Sequence, residues 1–225
     1  MKLLKKEILS LFGTLLLIVT LSACNTDNIP ENRTKEEYNV ENSFQPVFDF
    51  LEEDPKDFSN MESFSSNFSI IDKDTYEKDE ESYSLLLKSS SEKFSGTYRV
   101  QIDGLTTEYL ISVINNLEIK PENEIPEEFN KLNILLPIIP TSEIKKLNVD
   151  DYLAKHPETE LKAIYYQIPK NYTIFQNLIN TYNISEITST DMAFSLSGDV
   201  EYTMQYSIIT NQKMYVVTQN ITFKR

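Results

Sequence analysis

Residues 191–223, DMAFSLSGDVEYTMQYSIITNQKMYVVTQNITF, contain the pattern that decides the fold of this chain. Apolar and polar side chains alternate here, as they do in β-strands that bury one face and expose the other. Ser197-Gly198-Asp199 and Thr210-Asn211-Gln212-Lys213 interrupt the alternation with residues that favour turns. The stretch therefore predicts three antiparallel strands, the last of them at residues 214–223. The alternating apolar side chains of the first two strands are Met192, Phe194, Leu196, Val200, Tyr202, Met204, Tyr206 and Ile208.

The residues before this stretch predict one more strand and a helix. Residues 161–168 have the composition of a strand, in which Tyr165 and Tyr166 point to opposite faces, so at most one of them joins the core. Residues 172–182 carry apolar side chains at helical spacing, and Asn171 is placed to cap that helix. The apolar face of the predicted helix consists of Phe175, Leu178, Ile179 and Tyr182.

The first half of the chain predicts a similar order of elements. Residues 43–51 predict a helix that has Ser43 as its N-cap and Pro55 just beyond its end. Its apolar face consists of Phe44, Val47, Phe48 and Leu51. The predicted strands that follow are residues 82–88, 97–102 and 109–114, separated by turns at residues 89–91 and 103–104, with a further turn at residues 115–116.

Residues 119–160 are interrupted by four prolines, which argue against long regular elements. Residues 126–131 predict a short helix with Pro126 at its first position, and residues 134–139 predict a short extended segment. The whole pattern predicts an α+β fold, in which helices cover one face of antiparallel sheet. Each half reads as a helix followed by a meander, and the sequence leaves open whether the halves form one sheet or two.

The N-terminus has the layout of a bacterial lipoprotein signal. Three lysines precede an apolar run at residues 8–21, and Leu21-Ser22-Ala23-Cys24 ends the segment with small residues before the only cysteine. Such a signal is cleaved between Ala23 and Cys24, after the Cys24 thiol has received a diacylglyceryl group. We therefore expect a signal peptide at residues 1–23, a lipidated flexible tether at residues 24–39 and one domain at residues 40–225.

The lipobox places the protein on the extracytoplasmic face of the cell membrane, held there by the lipid on Cys24. An uncleaved anchor and an ordinary secretory signal are the alternatives. The apolar run of residues 8–21 is shorter than the ~20 residues that a membrane-spanning helix needs. The lipoprotein signal is therefore the favoured interpretation.

Charge and composition exclude several classes of function. The chain carries a net charge of −14, and the predicted signal removes three lysines and one glutamate, so the mature protein is more acidic still. Nucleic-acid binding requires a basic patch, and none is visible. An acidic surface favours basic partners, although it also serves solubility alone.

The sequence offers few residues for catalysis or for binding a cofactor, and we expect neither. His156 is the only histidine, and no HExxH, GxSxG or cysteine nucleophile can be written. An enzyme that uses a Ser-Lys or carboxylate pair remains open, because those residues are abundant. The acidic group Asp72, Asp74, Glu77 and Asp79 is a weak calcium candidate, since glutamate stands where an EF-hand loop needs glycine.

The chain resembles the staphylococcal tandem lipoproteins, a paralogous set encoded in clusters, as a divergent member from a low-GC Gram-positive bacterium. The resemblance covers most of the mature chain: the lipobox, the helix that begins at Ser43-Phe44, residues 83–104, residues 156–184, the turn at Ser197-Gly198 and the last strand. This chain departs from the family in being more acidic, poorer in lysine and glycine, and richer in proline within residues 119–160. The only motif that the resemblance carries over is the lipobox at residues 21–24.

We therefore expect a membrane-anchored binding module without catalytic activity. Its partner would be an envelope protein or, as the resemblance implies, a host protein. The alternatives are a small-ligand-binding lipoprotein, an envelope enzyme that uses carboxylates, and an inhibitor or chaperone of another envelope protein.

Overall fold

The chain folds into one large antiparallel sheet. The computed structural model describes residues 29–53, 57–90, 93–115, 118–136, 141–156, 160–172 and 175–225. Strands account for 49% of these residues and helices for 19%. The ten strands are β1 (Met61–Asp72), β2 (Lys78–Ser89), β3 (Phe94–Ile102), β4 (Leu105–Ile114), β5 (Glu118–Pro121), β6 (Asn148–Leu153), β7 (Lys162–Gln167), β8 (Ser189–Ser197), β9 (Glu201–Ile209) and β10 (Lys213–Phe223).

The predicted helix-covered α+β fold is wrong. The helices of the described residues are at most eight residues long, whereas β1 and β2 each have twelve, so the helices contact the sheet only locally. None of these helices is both long and apolar enough to cross a membrane. The helices are α1 (Lys35–Asn42), α2 (Gln45–Glu52), a 3₁₀ helix (Glu127–Phe129), α3 (Leu132–Leu135), α4 (Thr141–Ile144) and α5 (Gln176–Tyr182).

Two five-stranded meanders meet at the centre of the sheet. The strand order is β5-β4-β3-β2-β1-β10-β9-β8-β7-β6, and β1 pairs antiparallel with β10. The first meander begins at the centre and runs to one edge, whereas the second begins at the opposite edge and returns to the centre. The halves therefore form one sheet, and their first strands occupy different positions in it. The expected pair of similar helix-plus-meander halves is not found.

The central strand β1 was not predicted, because a buried polar residue breaks its alternation. Ser66 has no exposed surface and lies on the same face as Phe64 and Phe68. Across the junction, the equally buried Gln219 donates from Nε2 to the Ser66 Oγ (3.4 Å) and to the Leu135 carbonyl of α3 (2.8 Å). A buried amide is tolerated where it finds such partners, and no pattern of apolar residues reveals it.

Short helices pack their apolar side chains against the buried face of the sheet. The predicted apolar face of α2 is confirmed, since all four of its members are buried. Phe44 and Phe48 lie against Phe194 of β8, with ring centroids 5.9 and 5.3 Å apart. The predicted N-cap is wrong, because α2 follows Phe44, and the Ser43 hydroxyl donates to the Asn39 carbonyl at the end of α1.

The middle of the chain differs most from expectation. Residues 127–129 form a 3₁₀ helix after Pro126, close to the predicted short helix. Leu132–Leu135 is helical, so the extended segment predicted at residues 134–139 is wrong for its described first part. The strand β6 was not predicted, since only its Val149, Tyr152 and Leu153 are apolar.

The helix predicted at residues 172–182 is confirmed for Gln176–Tyr182. Phe175 precedes it in the capping position without a side-chain hydrogen bond, so the predicted Asn171 cap is wrong. Pro55 lies outside the described residues.

A buried ion pair holds the N-terminal segment to the sheet. The Arg33 guanidinium contacts both carboxylate oxygens of Glu41, with an Nη2–Oε1 distance of 2.9 Å, and both side chains are almost fully buried. Tyr166 of β7 donates from its hydroxyl to Glu41 at 2.7 Å, and Arg33 Nη1 donates to the Leu147 carbonyl at 2.7 Å.

The predicted tether is therefore too long at its C-terminal end. Residues 33–39 belong to the domain, because α1 begins there behind a capping box of Thr34 and Glu37. Sequence reasoning assigned the segment to the tether because it is polar. Arg33, however, finds buried partners in Glu41 and the Leu147 carbonyl.

We expect Glu41→Gln to lower the free energy of unfolding by about 3–5 kcal/mol, because it leaves the Arg33 charge buried without its partner. The double variant Arg33→Met/Glu41→Leu should recover much of this loss, since no charge remains unpaired. Urea denaturation of both variants measures the difference. The exposed pair of Arg99 and Glu108 provides a control, because Arg99→Met should cost less than about 1 kcal/mol. Equal losses for Glu41→Gln and Arg99→Met would contradict the prediction.

Candidate binding groove on the open sheet face

The two faces of the sheet have different surfaces. Side chains of one face are buried, as Phe64, Phe68 and Ile70 are in β1. The side chains that alternate with them in β1 are Ser63, Ser65, Asn67 and Ser69, which are exposed or half-buried. The other central strands also present small polar residues on this second face. We call it the open face.

A groove of about 690 Å³ crosses the open face. Its position follows from the register, which places Ser69, Val216, Ser207 and Asp191 side by side on β1, β10, β9 and β8. Small side chains leave a depression here, and larger apolar ones line its floor. The half-buried apolar residues of the groove are Ile71, Ala193, Ile209, Met214 and Val216.

One end of the groove is acidic. Asp150 and Asp151 of β6 and Asp191 of β8 line it, together with Tyr165 of β7, which is 45% exposed. Consecutive residues of a regular strand point to opposite faces. The ladder between β6 and β7 shifts register between Val149 and Asp151, and this irregularity allows both aspartates to line the same groove.

The three carboxylates have no cationic partner among the described residues. Asp150 Oδ1 accepts a hydrogen bond from Gln167 Nε2 at 2.7 Å, but no lysine or arginine of this part of the chain forms an ion pair with any of the three. Lys78 of β2 lines the opposite end of the groove. The groove therefore presents an apolar floor between an acidic end and a single cation.

The environment of Asp191 disfavours its charge. Burial in the groove raises the pKa of this carboxyl above its ordinary value of 3.8, and the neighbouring Asp150 raises it further. A hydrogen bond from Ser207 opposes these effects without cancelling them. An ionised side chain that burial and a like charge destabilise is typical of a site whose partner supplies the compensating charge.

We expect Asp191→Asn to stabilise the free protein at neutral pH, by less than about 1 kcal/mol because the carboxyl remains partly exposed to solvent. When the pKa of a carboxyl is higher in the folded state than in the unfolded state, the free energy of unfolding falls as pH rises from the unfolded-state pKa to the folded-state pKa. The stabilisation should therefore disappear as pH falls below about 3.8. Thermal melting of the wild type and the variant from pH 3 to pH 7 measures it.

The variant Asp199→Asn is a matched control, because it removes the same charge from an exposed turn outside this groove. A variant Asp191→Asn that melts at or below the wild-type temperature at pH 7 would contradict the interpretation of this carboxyl as strained by its surroundings.

Among the described residues that the sequence analysis discussed, Tyr165 lines this groove, whereas His156 and the acidic group at Asp72 do not. Ala23 and Cys24 lie outside the described residues. His156 is half-buried at the start of a loop, where its backbone pairs with Leu161 and Glu160. Tyr165 and Tyr166 confirm the prediction of opposite faces, since Tyr166 is buried at 2% exposure.

The acidic group near the β1–β2 turn makes local contacts. Asp72 Oδ1 accepts hydrogen bonds from the backbone N–H groups of Asp74 and Thr75, and these lower the pKa of Asp72. Asp79 pairs with Lys213 at 2.8 Å, which lowers the pKa of Asp79. The described residues contain no group of three or more His, Cys, Asp or Glu side chains placed to hold a metal ion.

Sequence reasoning missed the acidic end of the groove. Asp150 and Asp191 lie 41 positions apart in the chain and come together only because β6, β7 and β8 are neighbours. The only local clue in the sequence was the Asp150-Asp151 pair. Adjacent strand residues are expected on opposite faces, so the pair indicates a shared site only when the register shift is known.

Comparison with known proteins adds little to these findings. No family model matches the chain, and no curated protein matches it. Among solved structures, a match is found to the crystal structure of a DUF1329 family protein from Desulfovibrio piger ATCC 29098, at 6% identity and a TM-score of 0.27. The match covers 85% of this chain and 94% of that one. A likeness at this score indicates neither a shared fold nor a shared function.

Proposed function

We propose that this protein is a lipoprotein of the extracytoplasmic membrane face that binds another molecule through the open-face groove and catalyses no reaction. The observation that carries the proposal is the groove itself, with its apolar floor and its carboxylates that lack cationic partners. Binding sites commonly combine an apolar lining with a few placed polar groups. The groove lies on paired strands, which hold such groups at fixed positions.

The lipobox and the resemblance to staphylococcal tandem lipoproteins support the location. A diacylglyceryl group on Cys24 inserts two acyl chains, which suffice for stable anchoring. The resemblance also supports a host or envelope protein as the partner, because that family has been linked to host-cell entry and immune stimulation.

A small-ligand-binding lipoprotein is the second candidate. A volume of about 690 Å³ falls within the range of about 300–1,000 Å³ that is usual for small-molecule sites. The lining of the groove comes from several strands, however, and this extent favours a larger partner that contacts many side chains.

We expect Cys24→Ala to abolish membrane anchoring, because the variant lacks the thiol that receives the lipid. Fractionation of cells followed by immunoblotting should show the wild type in the membrane fraction, and the variant as a larger precursor or as released protein. The variant Ser22→Ala is a matched control, since it keeps a small residue in the lipobox. Unchanged membrane association of Cys24→Ala would contradict the lipoprotein assignment.

Site-specific photo-crosslinking tests the binding function. A benzophenone amino acid at Thr218, which lines the groove, should form adducts upon illumination of intact cells. The same amino acid at Thr106 of β4 should not, because this threonine lies on the same face beyond the groove. Adducts at both positions, or at neither, would contradict the proposal. A protein partner gives a band of higher mass on a gel, whereas a small ligand gives a small increment in intact mass.

A further inference from the structure

We propose that the occupant of the groove is an extended peptide segment that places a lysine or arginine side chain against Asp150, Asp151 and Asp191. This inference rests on the proposed function and specifies its partner chemically. It is argued from the charge, the length and the lining of the groove.

The charge of the groove selects a cation. Three carboxylates line one end, and no lysine or arginine of the described residues pairs with them. The chain as a whole carries −14, so its field attracts basic partners from a distance. Complementary charge also fixes the orientation in which a partner docks. The single cation at the far end, Lys78, would favour an acidic group there.

The length of the groove favours an extended peptide over a single small amine. From Lys78 on β2 to Asp191 on β8 there are four strand spacings, or about 19 Å at about 4.8 Å per spacing. An extended peptide rises about 3.3 Å per residue, so about six residues span this distance.

The lining of the groove favours an occupant that carries both apolar and basic side chains. Ile209, Met214 and Val216 lie between the two charged ends and are half-buried. A polyamine would reach the carboxylates but would leave this apolar floor uncovered. A peptide covers the floor with its apolar side chains while a basic residue reaches the acidic end.

The geometry of β6 supports a binding site at the acidic end of the groove. The irregular register at Val149 and Asp151 directs two adjacent aspartates to one face. Such irregularities often re-aim a side chain next to a functional site. A regular strand would have sent one of the two carboxylates away from the groove.

Fluorescence anisotropy with the full-length lipoprotein in detergent micelles tests the proposal. The probe is the fluorescein-labelled peptide Lys-Val-Lys-Val-Ser-Glu. The control is the charge-inverted peptide Glu-Val-Glu-Val-Ser-Lys with the same label. The first peptide should bind and the second should not. The double variant Asp150→Asn/Asp191→Asn should raise the Kd of the first peptide about tenfold or more, because each lost carboxylate removes a charged contact.

The double variant Asp103→Asn/Asp199→Asn is the matched control. It removes the same total charge from two exposed turns outside the groove, and it should change the Kd by less than about twofold. Binding of the first peptide should also weaken as salt rises from about 50 to 300 mM, as screening shortens the reach of the carboxylates.

Each of the following outcomes would overturn the inference. Equal binding of both peptides would exclude charge selection, and equal loss in both double variants would show attraction by net charge alone. Spermine that binds with the same groove dependence while the peptide does not would indicate a small cation. Crosslinking at Thr218 without peptide binding would leave the binding function standing and refute only the partner chemistry, whereas failure of both experiments would refute both.

Discussion

The pairing of the first strand with the last strand is the constraint on which this structure depends. Ser66 of β1 and Gln219 of β10 are 153 positions apart, yet they lie side by side at the centre of the sheet. Neither meander can join the other until almost the whole chain is present, so folding must close this long loop before the central contacts form. The register runs unbroken from Ser63 to Asp72 on β1, which aligns every row of side chains across both halves.

That junction also creates the groove, because the floor takes side chains from both sides of it. Ser69 and Ile71 come from β1, whereas Val216 and Met214 lie opposite them on β10. A shift of one residue in this pairing would exchange the two faces of β10 relative to the core. The buried polar contact of Ser66 and Gln219, together with the Leu135 carbonyl, opposes such a shift, because the shift would move the Gln219 Nε2 group away from the partners it has in this register. The position of the groove therefore depends in part on a hydrogen bond on the opposite face.

The sequence predicts those parts of the fold in which the buried positions are occupied by apolar side chains. The alternation at residues 191–223 yields three strands, and the helical spacing from Phe44 to Leu51 yields α2. Prediction fails where polar residues are buried, as at Ser66 in β1 and at Arg33 and Glu41 before the sheet. The helix-covered fold was expected because the alternation leaves one face of the sheet apolar, and β1, β5 and β6 were not among the predicted strands. The acidic end of the groove was invisible for a related reason: a register shift is set by pairing with β7 and leaves no mark on the local pattern.

The strand β7 connects the N-terminal segment to the acidic end of the groove. Tyr166 points to the buried face and donates to Glu41, while its neighbour Tyr165 points to the open face beside Asp151. Arg33 pairs with the same Glu41 and also donates to the Leu147 carbonyl, one residue before β6 begins. The segment nearest the proposed lipid anchor therefore contacts β7 and the start of β6, and β6 carries two of the three aspartates of the acidic end. If Cys24 carries the proposed lipid, only the eight residues 25–32 separate the anchor from Arg33. At about 3.3 Å per residue, the connection from this proposed anchor to Arg33 would reach about 30 Å at most.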